Sequence, residues 1–387
     1  MSTMPHDREI LMTKESFRIV LAANTSWYLV NFRTGLMEAL IASGYHVFVV
    51  AGRDFTSGTF APRGIDFIPF ELDSRGLNPI RELGAIRSYI RVYGALRPSV
   101  ILHFTTKSVL YGSIAARLLR IPAVNTVTGL GSGFVSGHIV PLVLTFLHRM
   151  AHRKACRVFF QNAEDMGLFL KRRLVPMSIA RLIPGSGVNT EHFKYSEPLR
   201  KDCVKFLFLG RLIRDKGIED LVEAARILRA RMPQCRVSLL GFLDPDSRGA
   251  IRESQIKSWE GEGVVDYLGA TGETLPYLTE ADCVVLPTYY KEGVPHSLLE
   301  AASVGRPIIA SDVAGCRDVV IDGLNGFLCK PHDPIDLSEK MMRVASMSRD
   351  RLATMGRVGR DRVLGKFSEA AVVQRYMESI SSVLDQR

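Results

Sequence analysis

The sequence predicts an α/β chain of two Rossmann-like, doubly wound domains facing each other across a cleft. Three observations carry this expectation. Short apolar runs alternate with longer amphipathic stretches, as when crossover helices join the strands of a parallel sheet. The alternation stops at a glycine-rich stretch, residues 183–193 (IPGSGVNTEHF), and restarts at residue 204. Residues 283–312 then compose a complete βαβ unit. In it, an apolar strand (CVVLP) leads to a Gly/Pro loop (EGVP), a helix from His296, a stop at Gly305 and Pro307, and a second strand (IIA).

In chain order, residues 1–16 are polar and read as a flexible tail, without the basic and apolar regions of a signal peptide. The first domain, 17–190, opens with a strand at 17–22, a loop at 24–31 and a helix at 32–43 closed by Gly44. Strands follow at 45–51, 66–70 and 99–104, with a helix at 80–96. A helix at 108–119, a strand at 123–126, a helix at 140–156 and a strand at 157–161 complete it. The hinge falls between about 189 and 201. The second domain, 191–367, has strands at 204–209, 236–240 and 264–268 and helices at 218–232 and 274–280 before the βαβ unit. Short segments at 319–321 and 327–329 and helices from 334 end the chain. The last helix lies in 368–387.

Composition narrows the function. The 387 residues suffice for two cores, and 47% hydrophobic with 23% charged residues is ordinary for a soluble globular protein. Six scattered cysteines form no CxxC pair and read as reduced core residues. The longest central apolar run, IVPLVLTFL at 139–147, is far short of the ~20 residues that span a bilayer. Residues 1–190 hold 22 Lys and Arg against 11 Asp and Glu, and the rest hold 28 against 29. The +10 excess therefore lies wholly in the first half and points to an anionic partner. RNP, KH and helix-turn-helix patterns are absent, which disfavours nucleic acid. The first βα loop holds Asn24, Thr25, Asn31 and Arg33 instead of GxGxxG, which disfavours a dinucleotide dehydrogenase.

The chemistry gathers at strand ends. Glu292 on the EGVP loop and Glu300 on the following helix lie eight residues apart, and carboxylates there suit paired sugar or ribose hydroxyls. Gly210 and Arg211 end a strand, and Lys216 precedes a helix, so two cations can face a diphosphate. Asp244-Pro-Asp246 mimics a DxD metal motif but reads as a turn. In the first domain, HFTTKS (His103, Lys107) and TGLGSGF (Gly129, Gly131) follow strands at the cleft. Arg33 would sit at a helix start, where it could pair with a phosphate, and His103 reads equally well as a core histidine.

EGVPHSLLEA…GRPIIASD, with GRLIRDKG upstream, resembles the Glu-x7-Glu and G-R-x-x-x-x-K-G elements of retaining glycosyltransferase family 4, which has the GT-B fold. The resemblance implies that Arg211 and Lys216 hold a UDP-sugar diphosphate, with Glu300 on the ribose and Glu292 on the donor sugar. Backbone N–H groups around Gly293, Val294 and Pro295 and around Ser297, Leu298 and Leu299 would approach sugar and phosphate, and Leu268 would line the base. It implies that the helix in 368–387 crosses back to the first domain, and it implies no metal and no cofactor. The HFTTKS and GLGS elements resemble a subgroup that extends polyprenyl-diphosphate-linked saccharides, such as lipid-linked GalNAc transferases. There Asn31, Arg33, His103, Lys107, Gly129 and Gly131 would serve the acceptor or a phosphate. The basic end of helix 140–156 and KRR at 171–173 read either as the solvated tip of an ordinary core helix or as a patch resting on anionic lipid, at the inner face of a bacterial cytoplasmic membrane, and the charge asymmetry favours the patch. A UDP-GlcNAc 2-epimerase, a sugar phosphorylase or a non-catalytic sugar-nucleotide-binding protein are the alternatives. The donor sugar, the acceptor and the oligomeric state stay open.

Overall fold

The computed structural model describes residues 17–72, 79–129, 139–197, 203–245, 247, 249–290 and 292–386. The tail at 1–16, Gly131 with the rest of the GLGS element, and Asp246 lie outside them. The first sheet comprises β1 (Arg18–Thr25), β2 (His46–Gly52), β3 (Asp66–Pro69), β4 (Val100–His103), β5 (Ala123–Val127), β6 (Arg157–Phe160) and β7 (Ala180–Leu182), ordered β3-β2-β1-β4-β5-β6-β7. The second comprises β8 (Lys205–Leu209), β9 (Arg236–Leu240), β10 (Asp266–Tyr267), β11 (Cys283–Leu286), β12 (Ile308–Ser311) and β13 (Gly326–Cys329), ordered β10-β9-β8-β11-β12-β13. Neighbouring strands are parallel throughout. Helices cover both faces, so β4, β5, β11 and β12 are buried at every position and are mostly apolar, with His103, Asn125, Thr126 and Ser311 as buried polar exceptions.

In the first domain the helices are α1 (Ser26–Ala42), α2 (Pro79–Leu96), α3 (Ser113–Leu118), α4 (Ile139–His152) and α5 (Ala163–Lys171). In the second they are α6 (Ile218–Arg231), α7 (Glu253–Gly261), α8 (Leu275–Glu280), α9 (His296–Ser303), α10 (Ala314–Val319), α11 (Pro334–Ala345) and α12 (Arg349–Arg362). The final helix is α13 (Glu369–Leu384). Strand order reverses between β1 and β4 and again between β8 and β11, the positions where open parallel sheets bind ligands beyond their carboxyl ends.

The expected loop at 24–31 is largely helix. Thr25 caps α1 by accepting from the Tyr28 N–H, and Asp54 accepts from the Trp27 N–H at 2.7 Å. These caps start the helix a turn and a half earlier than its apolar periodicity shows. The short helices α5 and α7 also escape the periodicity, although Asn162 caps α5 and Glu164 and Asp165 occupy its first turn.

The two cores meet at Pro184–Gly187. Ile183 packs in the first core and Val188 in the second, while Val188 also pairs with the returning chain. Its N–H donates to the Phe367 carbonyl, and its carbonyl accepts from the Glu369 N–H, both at 2.9 Å. Helix α13 then lies on the first domain, burying Val372, Tyr376, Ile380 and Leu384 among Ile19, Leu36 and Phe104. Each large apolar side chain so buried contributes about 1.5–3 kcal/mol, enough to hold the helix across the hinge.

Candidate active site

The carboxyl ends of β8 and β11 are brought together by a glycine. After β8 the chain makes one 3-10 turn, Arg214–Lys216, and Gly217 follows at φ 75°. A Cβ there would lie 1.9 Å from the Pro287 carbonyl oxygen, so only glycine lets this turn rest on the end of β11. The contact carries Lys216 Nζ to 2.5 Å from Glu292 Oε1, with both side chains largely buried. Thr288 Oγ1 lies 3.2 Å from the same carboxylate oxygen and 3.2 Å from the Asp215 carbonyl. The N–H groups of Tyr289 and Tyr290 close on that carbonyl at 3.0 and 2.9 Å. Cation and carboxylate are thus held by the backbone of two strand ends.

Arg211 follows Gly210 at the end of β8. Its guanidinium lies 3.7 Å from Asp244 and hydrogen-bonds Tyr290, whose phenol burial pushes up in pKa. Asp244, the first acid of the DPD turn, therefore faces an arginine. Glu300 is one turn into α9. Its Oε1 accepts from His296 Nδ1 at 2.8 Å, and its Oε2 accepts from Thr274 Oγ1 at 3.1 Å. Leu268, the residue after β10, is exposed. Arg211, Lys216, Glu292 and Glu300 therefore gather around the switch point of the second sheet.

The backbone expectations for this loop need correction. The Gly293 N–H donates to the Thr128 carbonyl at 3.1 Å, and the Val294 N–H donates to Gln161 Oε1 at 3.3 Å. Pro295 has no N–H to offer. Asn162 Nδ2 donates to the Glu292 carbonyl at 3.4 Å. These N–H groups point at the first domain because the EGVP loop docks on the ends of β5 and β6. A Cβ on Gly293 would meet Gln161 Oε1 at 1.9 Å and the Thr128 carbonyl at 2.8 Å. The N–H groups of Leu298 and Leu299 turn back to the Pro295 carbonyl, and both side chains are core. Ser297, half-buried, stays at the helix start.

The first domain corrects more of the expected acceptor set. Arg33 is not at a helix start but inside α1, buried, with its guanidinium 4.6 Å from the Phe104 ring centre and 5.5 Å from that of Tyr376. The cation is therefore sealed beneath aromatic rings and hydrogen-bonds Tyr28. Lys107 is buried too, and its ammonium pairs with Glu82 at 2.6 Å, so its charge is compensated within the domain. His103 is wholly buried between the Tyr93 hydroxyl and Asn125 Oδ1, each at 3.0 Å, and burial lowers its pKa to about 4. It is a neutral core histidine. The chain of contacts continues from Asn125 to His152 and His148. Asn31 is exposed and donates to the Trp27 carbonyl. Gly129 pairs with Glu292 as an antiparallel bridge, the one expected acceptor-side residue that meets the donor loop among the described residues.

Sequence reasoning passed over Thr288, Gln161, Asn162 and His296, which hold the two glutamates and their loop. Only Asn162 carried a signal, as a cap before an acidic first turn.

With this geometry in hand, the chain can be set beside known proteins. The family model described as "Glycosyl transferases group 1" matches residues 189–362, and "Glycosyl transferase 4-like" matches residues 18–162. The N,N'-diacetylbacillosaminyl-diphospho-undecaprenol alpha-1,3-N-acetylgalactosaminyltransferase of Campylobacter jejuni is 26% identical over 384 residues, covering 95% of this chain and 99% of the relative. The UDP-Gal:alpha-D-GlcNAc-diphosphoundecaprenol alpha-1,3-galactosyltransferase of Escherichia coli is 25% identical over 284 residues, covering 70% and 72%. In fold, the chain is similar to the sucrose-phosphate synthase of Thermosynechococcus elongatus, with a TM-score of 0.78 at 21% identity over 96% of this chain and 100% of that one. Two facing parallel-sheet domains, each matched by its own glycosyl transferase model, make this chain a member of the group 1/family 4-like glycosyltransferases with the GT-B fold.

Proposed function

We propose that this chain is a retaining hexosyltransferase that moves a hexose or N-acetylhexosamine from a UDP-sugar to a polyprenyl-diphosphate-linked saccharide. The observation that carries the reading is the Lys216–Glu292 contact beside Arg211 at the switch point of the second sheet. Two cations held at strand ends stabilise the negative charge that grows on a departing diphosphate. Glu300 takes the ribose hydroxyls, and Glu292 orients the donor sugar. The acceptor oxygen bonds to the anomeric carbon on the face the diphosphate leaves, the bond from that carbon to the phosphate oxygen breaks, and the acceptor proton passes to the freed phosphate oxygen. The names of the Campylobacter and Escherichia relatives both include an undecaprenol diphosphate, which supports a lipid-linked acceptor. No metal enters this reading, and Asp244 serves as a partner of Arg211.

The surface supports the membrane side of the reading. Helix α4 exposes Leu142 (70%), Phe146 (61%) and, a turn further on, Arg149, and Arg153 is exposed in the turn that follows the helix. Leu118 is exposed on the neighbouring α3, and Lys171, Arg172 and Arg173 are exposed at the end of α5. An apolar tip with a basic border suits anionic lipid headgroups. No helix among the described residues is long and apolar enough to cross a membrane.

The test is a panel of UDP-sugars with and without a polyprenyl-diphosphate-sugar, in buffer containing a chelator. Acceptor-dependent UDP release from one donor, with the anomeric configuration kept in the product by NMR, is the expected result. UDP release that ignores the acceptor would instead support the epimerase alternative.

A further inference from the structure

We propose that His296 is a positioning residue that sets the Glu300 carboxylate to grip a ribose cis-diol and ties that carboxylate to the first domain. This rests on the reading of Glu300 as the nucleoside-binding glutamate. A carboxylate only accepts hydrogen bonds, so His296 Nδ1, 2.8 Å from Glu300 Oε1, carries the proton of that bond. Thr274 Oγ1 donates to the other oxygen at 3.1 Å. Each oxygen thus takes one bond from the protein and keeps lone-pair capacity for one more. That matches two adjacent hydroxyls and wastes one acceptor on a 2′-deoxyribose. Glutamate is a flexible side chain, and fixing it before the ligand arrives removes part of the ordering cost of binding.

His296 is itself held from the other domain. Its ring meets the Phe32 ring of α1 edge-on, 5.1 Å between centres at 68°. Glu369, at the start of α13, accepts from the Gly35 N–H of that same helix α1 at 3.2 Å. The nucleoside carboxylate and the first helix of the opposite domain therefore share one imidazole, and that helix is tied in turn to the crossing helix. Its spacing from Glu300, one helical turn, is what lets the ring reach the carboxylate.

The experiment measures UDP and 2′-deoxy-UDP affinity by calorimetry on the full chain carrying His296→Phe, His296→Asn or Glu300→Ala. Phenylalanine keeps the ring against Phe32 and removes the donor, whereas asparagine restores a donor near the Nδ1 position. Losing a charge-assisted hydrogen bond that orders the carboxylate should weaken UDP roughly tenfold. His296→Phe should also bring the preference for UDP over 2′-deoxy-UDP close to one, and His296→Asn should recover most of both. If Glu300→Ala abolishes the ribose preference but His296→Phe leaves it intact, the positioning role is overturned. If Glu300→Ala leaves affinity and preference untouched, the assignment of Glu300 itself fails. Thermal melts of the three variants separate these results from loss of fold.

Discussion

Lys216 Nζ and Glu292 Oε1 lie 2.5 Å apart although 76 residues separate them in the chain. The pair exists because Gly217 lets the turn after β8 sit on the end of β11. An ammonium keeps further donors after one is taken by Glu292, and those can face a diphosphate. Lys216→Met and Glu292→Gln should each lower kcat by about 10²-fold, the scale of removing one preorganised charge from a transition state. Steady-state transfer kinetics check this, and near-normal turnover in either variant would remove the pair from the chemistry.

Asp244 occupies the other cation. Arg211 is 38% exposed and 3.7 Å from it, so the pair is weak and solvent-screened. Asp244→Asn should tighten UDP binding by roughly two- to threefold, because Arg211 no longer divides its charge between Asp244 and the diphosphate. Calorimetry with UDP reads this directly. A metal-ligand role for Asp244 predicts the reverse, loss of activity that tracks divalent ion concentration.

The docking of the EGVP loop on the first domain depends on the missing side chain at Gly293. Gly293→Ala should push the loop off Gln161 and Thr128 and lower activity by more than about tenfold, since an ångström of displacement at such a site is costly. Gln161→Ala removes the nearest obstacle, so the double variant should recover part of the loss. A double variant no better than the single one would locate the damage elsewhere.

The buried histidines make the first domain acid-labile. Burial lowers the pKa of His103 and of His148 to about 4, and that of His152 well below its usual value. The unfolded chain protonates near pH 6.5 and the folded one does not, so stability is complete above pH 6.5 and falls as pH drops toward 4. Each of the first two histidines accounts for on the order of 3 kcal/mol across that window. Urea midpoints between pH 7.5 and 4.5 should fall steeply, and a flat profile would show that protons reach these rings in the native state.

Membrane contact should rest on the apolar tip of α4. Leu142→Glu with Phe146→Glu should abolish flotation with anionic phosphatidylglycerol vesicles while leaving UDP binding unchanged, because both are exposed on α4 of the first domain. Unchanged flotation would leave the basic residues alone to explain any binding.

The sequence by itself determined the fold class, because buried parallel strands must be short apolar runs and crossovers must be amphipathic, whereas the strand order that makes the two switch points came only with the tertiary structure. It also marked Arg211, Lys216, Glu292 and Glu300, since chemistry at strand ends sits on glycine- and proline-bearing loops that local patterns reveal. Three-dimensional packing decided what each charge meets. Arg33 and Lys107 looked like phosphate-facing residues in the sequence, yet packing seals Arg33 beneath aromatic rings and pairs Lys107 with Glu82, and of the two readings open for His103 it selects the core one. The same is true of the EGVP loop on Gln161 and of His296 between Glu300 and Phe32. These contacts join residues far apart in the chain or across the hinge. A side chain's spacing in sequence fixes its face on a helix or strand, whereas its partner is set by how two independently folded cores come to rest on each other.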